Sequence, residues 1–243
     1  MITHLPREEF LENYFTYKKG EHLLIVGPTG RAGKTHIAFQ LLQAANHPDI
    51  KPVVFCMKPK DETVARFTDQ AGFKEIKQWP PKKRFWDETP PGYTLWPHQT
   101  LVDVEKDNAH LTEQFRKAMT QNYASGNCIL FLDEVYGISA ELGLSTELNA
   151  ILTRGRSMGC GAWMATQKPS GTQGSGKALS GFVFNSPTHM FLSNDNDQRN
   201  RARFSELAGN FKPDDIESWV TSLNRYEFLY LNANGEDHCI VSA

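Results

Sequence analysis

Two glycines, an amine and a hydroxyl lie close together in Gly30-Arg31-Ala32-Gly33-Lys34-Thr35. The run follows an apolar stretch, His22–Val26, and leads into a helical one from Thr35 to about Ala45. A loop between a strand and a helix start aims backbone N–H groups at an anion, and the helix dipole favours negative charge there. Glycines let the backbone approach a phosphate, a lysine placed like Lys34 reaches the β- and γ-phosphates, and a hydroxyl placed like Thr35 ligates Mg²⁺. The chemistry expected is binding of ATP with Mg²⁺. The contacting stretch is Thr29, Gly30, Arg31, Ala32, Gly33, Lys34, Thr35 and His36. The spacing departs from G-x-x-x-x-G-K-[ST], because Pro28 stands where the first glycine belongs and Gly27 lies one residue too early. That puts the loop shape over Thr29–Ala32 in question, including the backbone conformation of Arg31. Lys34 and Thr35 keep their register to the helix.

A second element supplies carboxylates. Cys128-Ile129-Leu130-Phe131-Leu132-Asp133-Glu134 is an apolar strand ending in two acids. Asp133 is expected beside the Mg²⁺, and Glu134 where it orients and polarises an attacking water. A strand ending in Asp-Glu is by itself commonly the start of a solvated loop; together with Lys34-Thr35 upstream it reads as a hydrolytic site. A hydrolytic base would waste ATP in a small-molecule kinase, so Glu134 speaks against that class.

Further along, Leu148–Met158 has helical character and ends in Arg154-Gly155-Arg156, and the strand Gly161–Thr166 delivers Gln167 to the carboxyl edge of the sheet. Ligands bind at that edge in such folds. Gln167 could sense a γ-phosphate or hold the water. Arg154 and Arg156 could reach a neighbouring subunit's nucleotide as a finger in trans. The plainer alternatives are a surface glutamine and basic residues compensating a helix C-terminus.

These groups need a scaffold. Short apolar runs at His22–Val26, Pro52–Met57, Cys128–Leu132 and Gly161–Thr166 alternate with helical segments, among them Asp61–Gln70 with Val64 and Phe67 inward and Gly72 as its stop. Such runs indicate an α/β fold with a mainly parallel sheet flanked by helices. Thr188–Leu192 is a further strand candidate, and Tyr226–Leu231 with His238–Ser242 reads as a C-terminal β-hairpin turned at Asn234-Gly235. Thr3–Tyr17 has helical spacing, with Phe10, Leu11, Tyr14 and Phe15 on one face. Two stretches interrupt the rhythm. Trp79–His98 carries five prolines with Lys82, Lys83 and Arg84, and is expected to be too irregular for the sheet. Ser170–Gly176 is small and glycine-rich, followed by Lys177. With no repeat and no clear linker, one domain over residues 1–243 is expected.

Composition narrows the class. The 243 residues are 40% hydrophobic and 22% charged, with a net charge of -2 from 26 Lys+Arg and 28 Asp+Glu. That balance disfavours a protein that passively coats nucleic acid, whose affinity comes from clustered Lys and Arg, but leaves room for a local basic lining. No apolar run approaches the roughly 18 residues of a bilayer span. Cys56, Cys128, Cys160 and Cys239 stand alone in apolar surroundings and read as buried thiols of a reducing compartment. The eight histidines lack metal-ligand spacing. A cytoplasmic location, in a host cell if the protein is viral, is expected.

Taken together, GPTGRAGKT, VVFCMKPKDE, ILFLDE, LTRGRSMGCGAWMATQKPS and HMFLSNDNDQRNR resemble the FtsK–HerA superfamily of DNA-pumping ATPases over most of Leu23–Arg201. The resemblance implies a P-loop NTPase fold of RecA-like (ASCE) type, with ATP and Mg²⁺. It also implies a homo-oligomeric ring, a hexamer or pentamer, that threads double-stranded DNA with arginine fingers between subunits. A core-only chain looks most like the genome-packaging ATPases of membrane-containing viruses and phages, with a capsid or portal vertex protein as a further partner. A plasmid or chromosome translocase and an ATP-dependent switch that moves no DNA are the alternatives.

Overall fold

The computed structural model describes residues 2–28, 30, 32–82, 88–167, 179–208, 211–233 and 237–243. The first half runs β1 (Thr3–Leu5), α1 (Arg7–Glu9) with a π-helical turn at Phe10–Tyr14, β2 (Leu23–Val26), α2 (Lys34–Ala44), β3 (Lys51–Phe55), α3 (Glu62–Gln70), β4 (Lys74–Ile76) and β5 (Tyr93–Leu95). Next come α4 (Val104–Ser125), β6 (Cys128–Leu132), a π-helical turn at Gly137–Glu141, α5 (Ser145–Arg154), a 3-10 turn at Gly155–Met158 and β7 (Cys160–Thr166). The chain ends with α6 (Phe182–Asn185), β8 (His189–Ser193), α7 (Gln198–Leu207), α8 (Pro213–Ser222), β9 (Phe228–Asn232) and β10 (His238–Val241).

These strands form one sheet in the order β1-β10-β9-β8-β2-β7-β6-β3-β5-β4. From β8 across to β4 every neighbour is parallel. β9 is antiparallel to both β8 and β10, and β1 adds parallel to β10. The expected mainly parallel α/β sheet with a C-terminal hairpin is present; the hairpin's Asn234-Gly235 turn lies outside the described residues.

The central strands are apolar without alternation because both faces are covered. Leu23–Val26, Cys128–Leu132 and Cys160–Thr166 are buried throughout. Leu24, Val26, Leu130 and Leu132 meet Leu111 and Phe115 of α4 and Leu148 and Ile151 of α5 on one side. Leu23, Ile25, Ile129 and Phe131 meet Ile37 and Phe39 of α2 and Val64 and Phe67 of α3 on the other. Side-chain caps start several of these helices: Asp61 accepts from Val64 N at 3.0 Å, Asp103 from Lys106 N at 3.1 Å and Asp197 from Arg199 N at 2.8 Å. All four cysteines are buried and free. Cys128 and Cys160 are partners on adjacent strands, with their sulfurs 3.1 Å apart.

Two expectations are corrected. Thr3–Tyr17 is not one helix. Thr3–Leu5 pairs with Cys239–Val241, and helical turns begin only after Pro6. Proline disfavours helical backbone in the residue before it, and the edge of β10 offers that segment main-chain partners. The helical spacing beyond holds, since Phe10 is fully buried and packs edge-on against Phe191 and Tyr230. The Trp79–His98 stretch is not excluded from the sheet either. Tyr93–Leu95 is β5, paired to β3 on one side and β4 on the other. Neither three-residue strand shows a periodicity of its own, and pairing on both sides makes up for that in β5. The same stretch is tied to α4, where Trp79 N donates to Gln114 Oε1 at 2.8 Å and Trp79 Nε1 to Gln121 Oε1 at 2.9 Å.

Phe10 is the peg holding the amino-terminal segment to the sheet, so Phe10→Ala is expected to cost about 3–5 kcal/mol. Urea denaturation would read this as a lower midpoint, and an unchanged midpoint would show that the segment adds nothing to the core.

Candidate nucleotide-binding site

The carboxyl ends of β2, β7 and β6 lie side by side, and the candidate residues cluster there. β2 runs out at Val26 into Gly27, packed so tightly that a Cβ would stand 2.3 Å from Ser193 Oγ and 2.7 Å from the Ala32 methyl. Only glycine fits this loop root, which accounts for a glycine one residue earlier than the usual spacing. Gly33 precedes α2 at a φ of 73°, a left-handed conformation that glycine adopts without strain. Gly30 is left-handed too, at a φ of 69°. Thr29 and Arg31 lie outside the described residues.

Lys34 opens α2 and curls back over the loop, donating from Nζ to Gly27 O at 2.7 Å and Pro28 O at 3.2 Å. Burial lowers its pKa, against the opposing pull of Glu134 and Asp133. Thr35 Oγ1 donates to Asp133 Oδ1 at 2.7 Å, joining the loop after β2 to the end of β6. Asp133 is buried, and its other oxygen accepts from Lys58 Nζ at 3.2 Å. Lys58 also donates to Asp61 Oδ2 at 2.7 Å. Burial works against the Lys58 ammonium, but the two carboxylates outweigh it and hold its pKa above the ordinary value. Gln167 Nε2 donates to Glu134 Oε2 at 2.9 Å. Burial raises the Glu134 pKa, opposed by the Gln167 hydrogen bond and the Lys34 charge.

These groups line a cavity of about 410 Å³ whose wall includes Gly30, Gly33, Lys34, Thr35, Asp133 and Glu134. His36 lines it too, exposed one turn into α2 with its ring stacked on Phe67 at 4.7 Å. Ala32 is buried and faces the adjoining cavity instead. A hydroxyl and a buried carboxylate in contact are hard oxygen donors of the kind that take Mg²⁺ together with substrate phosphates. Among the described residues no group of three or more His, Cys, Asp or Glu could hold a metal by itself.

Lys58 and Asp61 belong to the site without having been singled out from the sequence. The available signal was position, for Lys58-Pro59-Lys60-Asp61 leaves β3 at the same sheet edge and Asp61 caps the next helix. Trp96 holds this segment, donating from Nε1 to Lys58 O at 2.7 Å.

Arg154 and Arg156 are not brought to the cavity. Both are exposed, just before β7 begins, while Gln167 follows the far end of the same strand. Arg156 Nη2 donates to Thr188 Oγ1 at 2.6 Å, beside the start of β8, and a Cβ on Gly20 would meet the Arg156 backbone at 2.8 Å. His22 lies at this edge, with Nδ1 accepting from Ala162 N at 3.0 Å. Of the two basic or flexible stretches singled out, Lys82 is exposed; Lys83, Arg84, the Ser170–Gly176 segment and Lys177 lie outside the described residues.

No protein-family model matches the chain, and no curated protein matches it in sequence. Solved structures do match in fold. The genome packaging NTPase B204 of Sulfolobus turreted icosahedral virus 2, in complex with sulfate, aligns with a TM-score of 0.61 at 14% identity, covering 93% of this chain and 98% of that one. Its complex with AMPPCP aligns at 0.59, over 93% and 99%. VirB4 of Thermoanaerobacter pseudethanolicus aligns at 0.67 with 10% identity, over 91% and 89%. The chain thus shares the fold of these structures, a mainly parallel sheet flanked by helices, over nearly its whole length. No helix among the described residues is long and apolar enough to cross a membrane.

The amino edge yields a pH prediction. Burial, then the Arg156 charge, lowers the His22 pKa to about 4 from 6.5. Between those values the unfolded chain binds the proton and the folded one does not, so stability falls as pH drops from 6.5 towards 4. The His22 share is on the order of 3 kcal/mol. Denaturation midpoints across this window should decline less steeply in His22→Asn than in the wild type, and parallel slopes would contradict the assignment.

Proposed function

We propose that this chain is an ATP-hydrolysing motor that moves double-stranded DNA, packaging a viral genome, and that it works as a homo-oligomeric ring. The observation that carries the ATPase reading is the joining of Lys34, Thr35, Asp133, Glu134 and Gln167 at one sheet edge through the Thr35–Asp133 and Gln167–Glu134 hydrogen bonds. Support for the motor comes from a fold shared with a genome packaging NTPase over nearly the whole of both chains.

In this reading Lys34 turns from the loop carbonyls to the β- and γ-phosphates, and the loop N–H groups hold the anion. Thr35 and Asp133 are the Mg²⁺ ligands. When bound between these two side chains, the ion would supply positive charge to offset that of the phosphates. Glu134 accepts a proton from the water whose oxygen attacks the γ-phosphorus, while ADP departs with the electrons of the broken bond. Gln167 keeps the Glu134 carboxylate aimed and registers whether the γ-phosphate is present. Arg154 and Arg156, on the opposite sheet edge, act on a nucleotide only from a neighbouring subunit.

Lys34→Ala is expected to abolish tight ATP binding. Glu134→Gln should keep ATP and lose at least about a hundredfold in turnover, the range of general-base contributions. Wild-type turnover in Glu134→Gln would overturn its role. Double-stranded DNA should stimulate the wild-type rate, and replacing Lys82, Lys83 and Arg84 together by Ala should reduce the stimulation without lowering the basal rate. No stimulation in the wild type would favour a switch over a motor. For the arginines, mixing the Lys34→Ala protein with an Arg154→Ala, Arg156→Ala double variant should restore some activity, and a fully active monomer would exclude a finger in trans.

A further inference from the structure

A second cavity, of about 710 Å³, adjoins the phosphate site and shares Pro28 and Tyr226 with it. Its walls come from the end of β8 and the segment leading into β9, with Ala32 closing the side next to the loop. We propose that this cavity receives the nucleoside of the bound nucleotide, with Tyr226 as the residue on which the base stacks. The inference rests on the ATP reading above and adds where the base and ribose lie.

Sheet order gives the direction. Glu134 and Gln167 follow β6 and β7, on one side of β2, so a γ-phosphate between them and Lys34 points that way. The rest of the nucleotide then extends to the other side of β2, towards β8 and β9, where the second cavity opens. Charge agrees. The cavity wall carries Asp195, Asp197 and Glu227 against the single cation Arg225 among its described lining. An acidic wall repels phosphate and favours hydroxyl donors, so it suits the ribose end of a nucleotide held at Lys34.

Tyr226 is placed and braced for stacking. A Cβ on Gly33 would lie 3.1 Å from Tyr226 Cδ1, which puts the ring edge against the last residue of the phosphate loop. Its backbone φ is 71°, uncommon for a residue with a side chain. Such a conformation persists where surrounding contacts enforce it, often at ligand sites. Here Arg7 Nη2, from the amino-terminal segment, donates to Tyr226 O. The Arg225 guanidinium lies 4.6 Å from the ring centroid and backs it. Asn194 Nδ2 donates to Leu223 O at 2.8 Å, which ties the cavity's two sides together, and within the second side Glu227 Oε2 accepts from Asn224 N at 2.7 Å. Tyr226 is nonetheless exposed, at 39%. Stacking uses the π face common to all bases, so the site should prefer purines through their larger face without strict selection between them.

The test is calorimetric titration of the full chain with Mg·ATP and with Mg·tripolyphosphate, which has the phosphates and no nucleoside. Tyr226→Ala should weaken ATP roughly tenfold and leave tripolyphosphate unchanged, whereas Tyr226→Trp should keep ATP affinity. Equal ATP affinity in wild type and Tyr226→Ala would overturn the stacking. Equal losses for both ligands would overturn it as well, by showing that Tyr226 only shapes the loop beside Gly33. A wild type that binds neither ligand would instead refute the ATP reading beneath the inference.

Discussion

Asp133 is held from two directions, by the Thr35 hydroxyl on one oxygen and the Lys58 ammonium on the other. The carboxylate is buried, so it needs such partners; an ionised group inside a protein is costly unless paired or hydrogen-bonded. Each partner comes from a different strand end, Thr35 after β2 and Lys58 after β3, while Asp133 itself ends β6. The contact therefore exists only if β7 and β6 lie between β2 and β3 in register. Everything around the cavity follows from that order: Glu134 beside Lys34, Gln167 from the intervening β7 onto Glu134, and the second cavity on the far side of β2.

The two edges of the sheet have different physical characters. The carboxyl edge gathers Lys34, Lys58, Asp133 and Glu134 around open space. At the amino edge, polar groups satisfy one another: Arg156 with Thr188, His22 with the backbone N–H of Ala162, and His189 between Tyr230 at 2.9 Å and Glu21 at 3.0 Å. This difference explains why the arginines expected to act on nucleotide lie far from this chain's own cavity. A role for them needs a second subunit, whereas the loop, carboxylates and glutamine assemble within one chain.

Much of this was legible in the residues. Lys34-Thr35 and Asp133-Glu134 carry their own context, because fully buried parallel strands read as unbroken apolar runs and polar residues just past them mark strand ends. Gln167, just past β7, follows the same logic. Hidden parts lacked a local signal. Thr3–Leu5, Lys74–Ile76 and Tyr93–Leu95 are too short for periodicity and depend on pairing with a neighbour. Lys58 matters because Asp133 meets it from 75 residues away. Tyr226 stands out only through a left-handed backbone and a ring against Gly33, features of the folded chain.

The central claim is that Thr35 and Asp133 together form the metal-binding corner of an ATP site. Electron paramagnetic resonance of Mn²⁺ in place of Mg²⁺, recorded with a non-hydrolysable ATP analogue, addresses it directly. The account predicts a protein-bound Mn²⁺ signal that requires the analogue in the wild type and is lost in both Thr35→Ala and Asp133→Ala. A bound signal that survives in both variants, or none in the wild type, would contradict it.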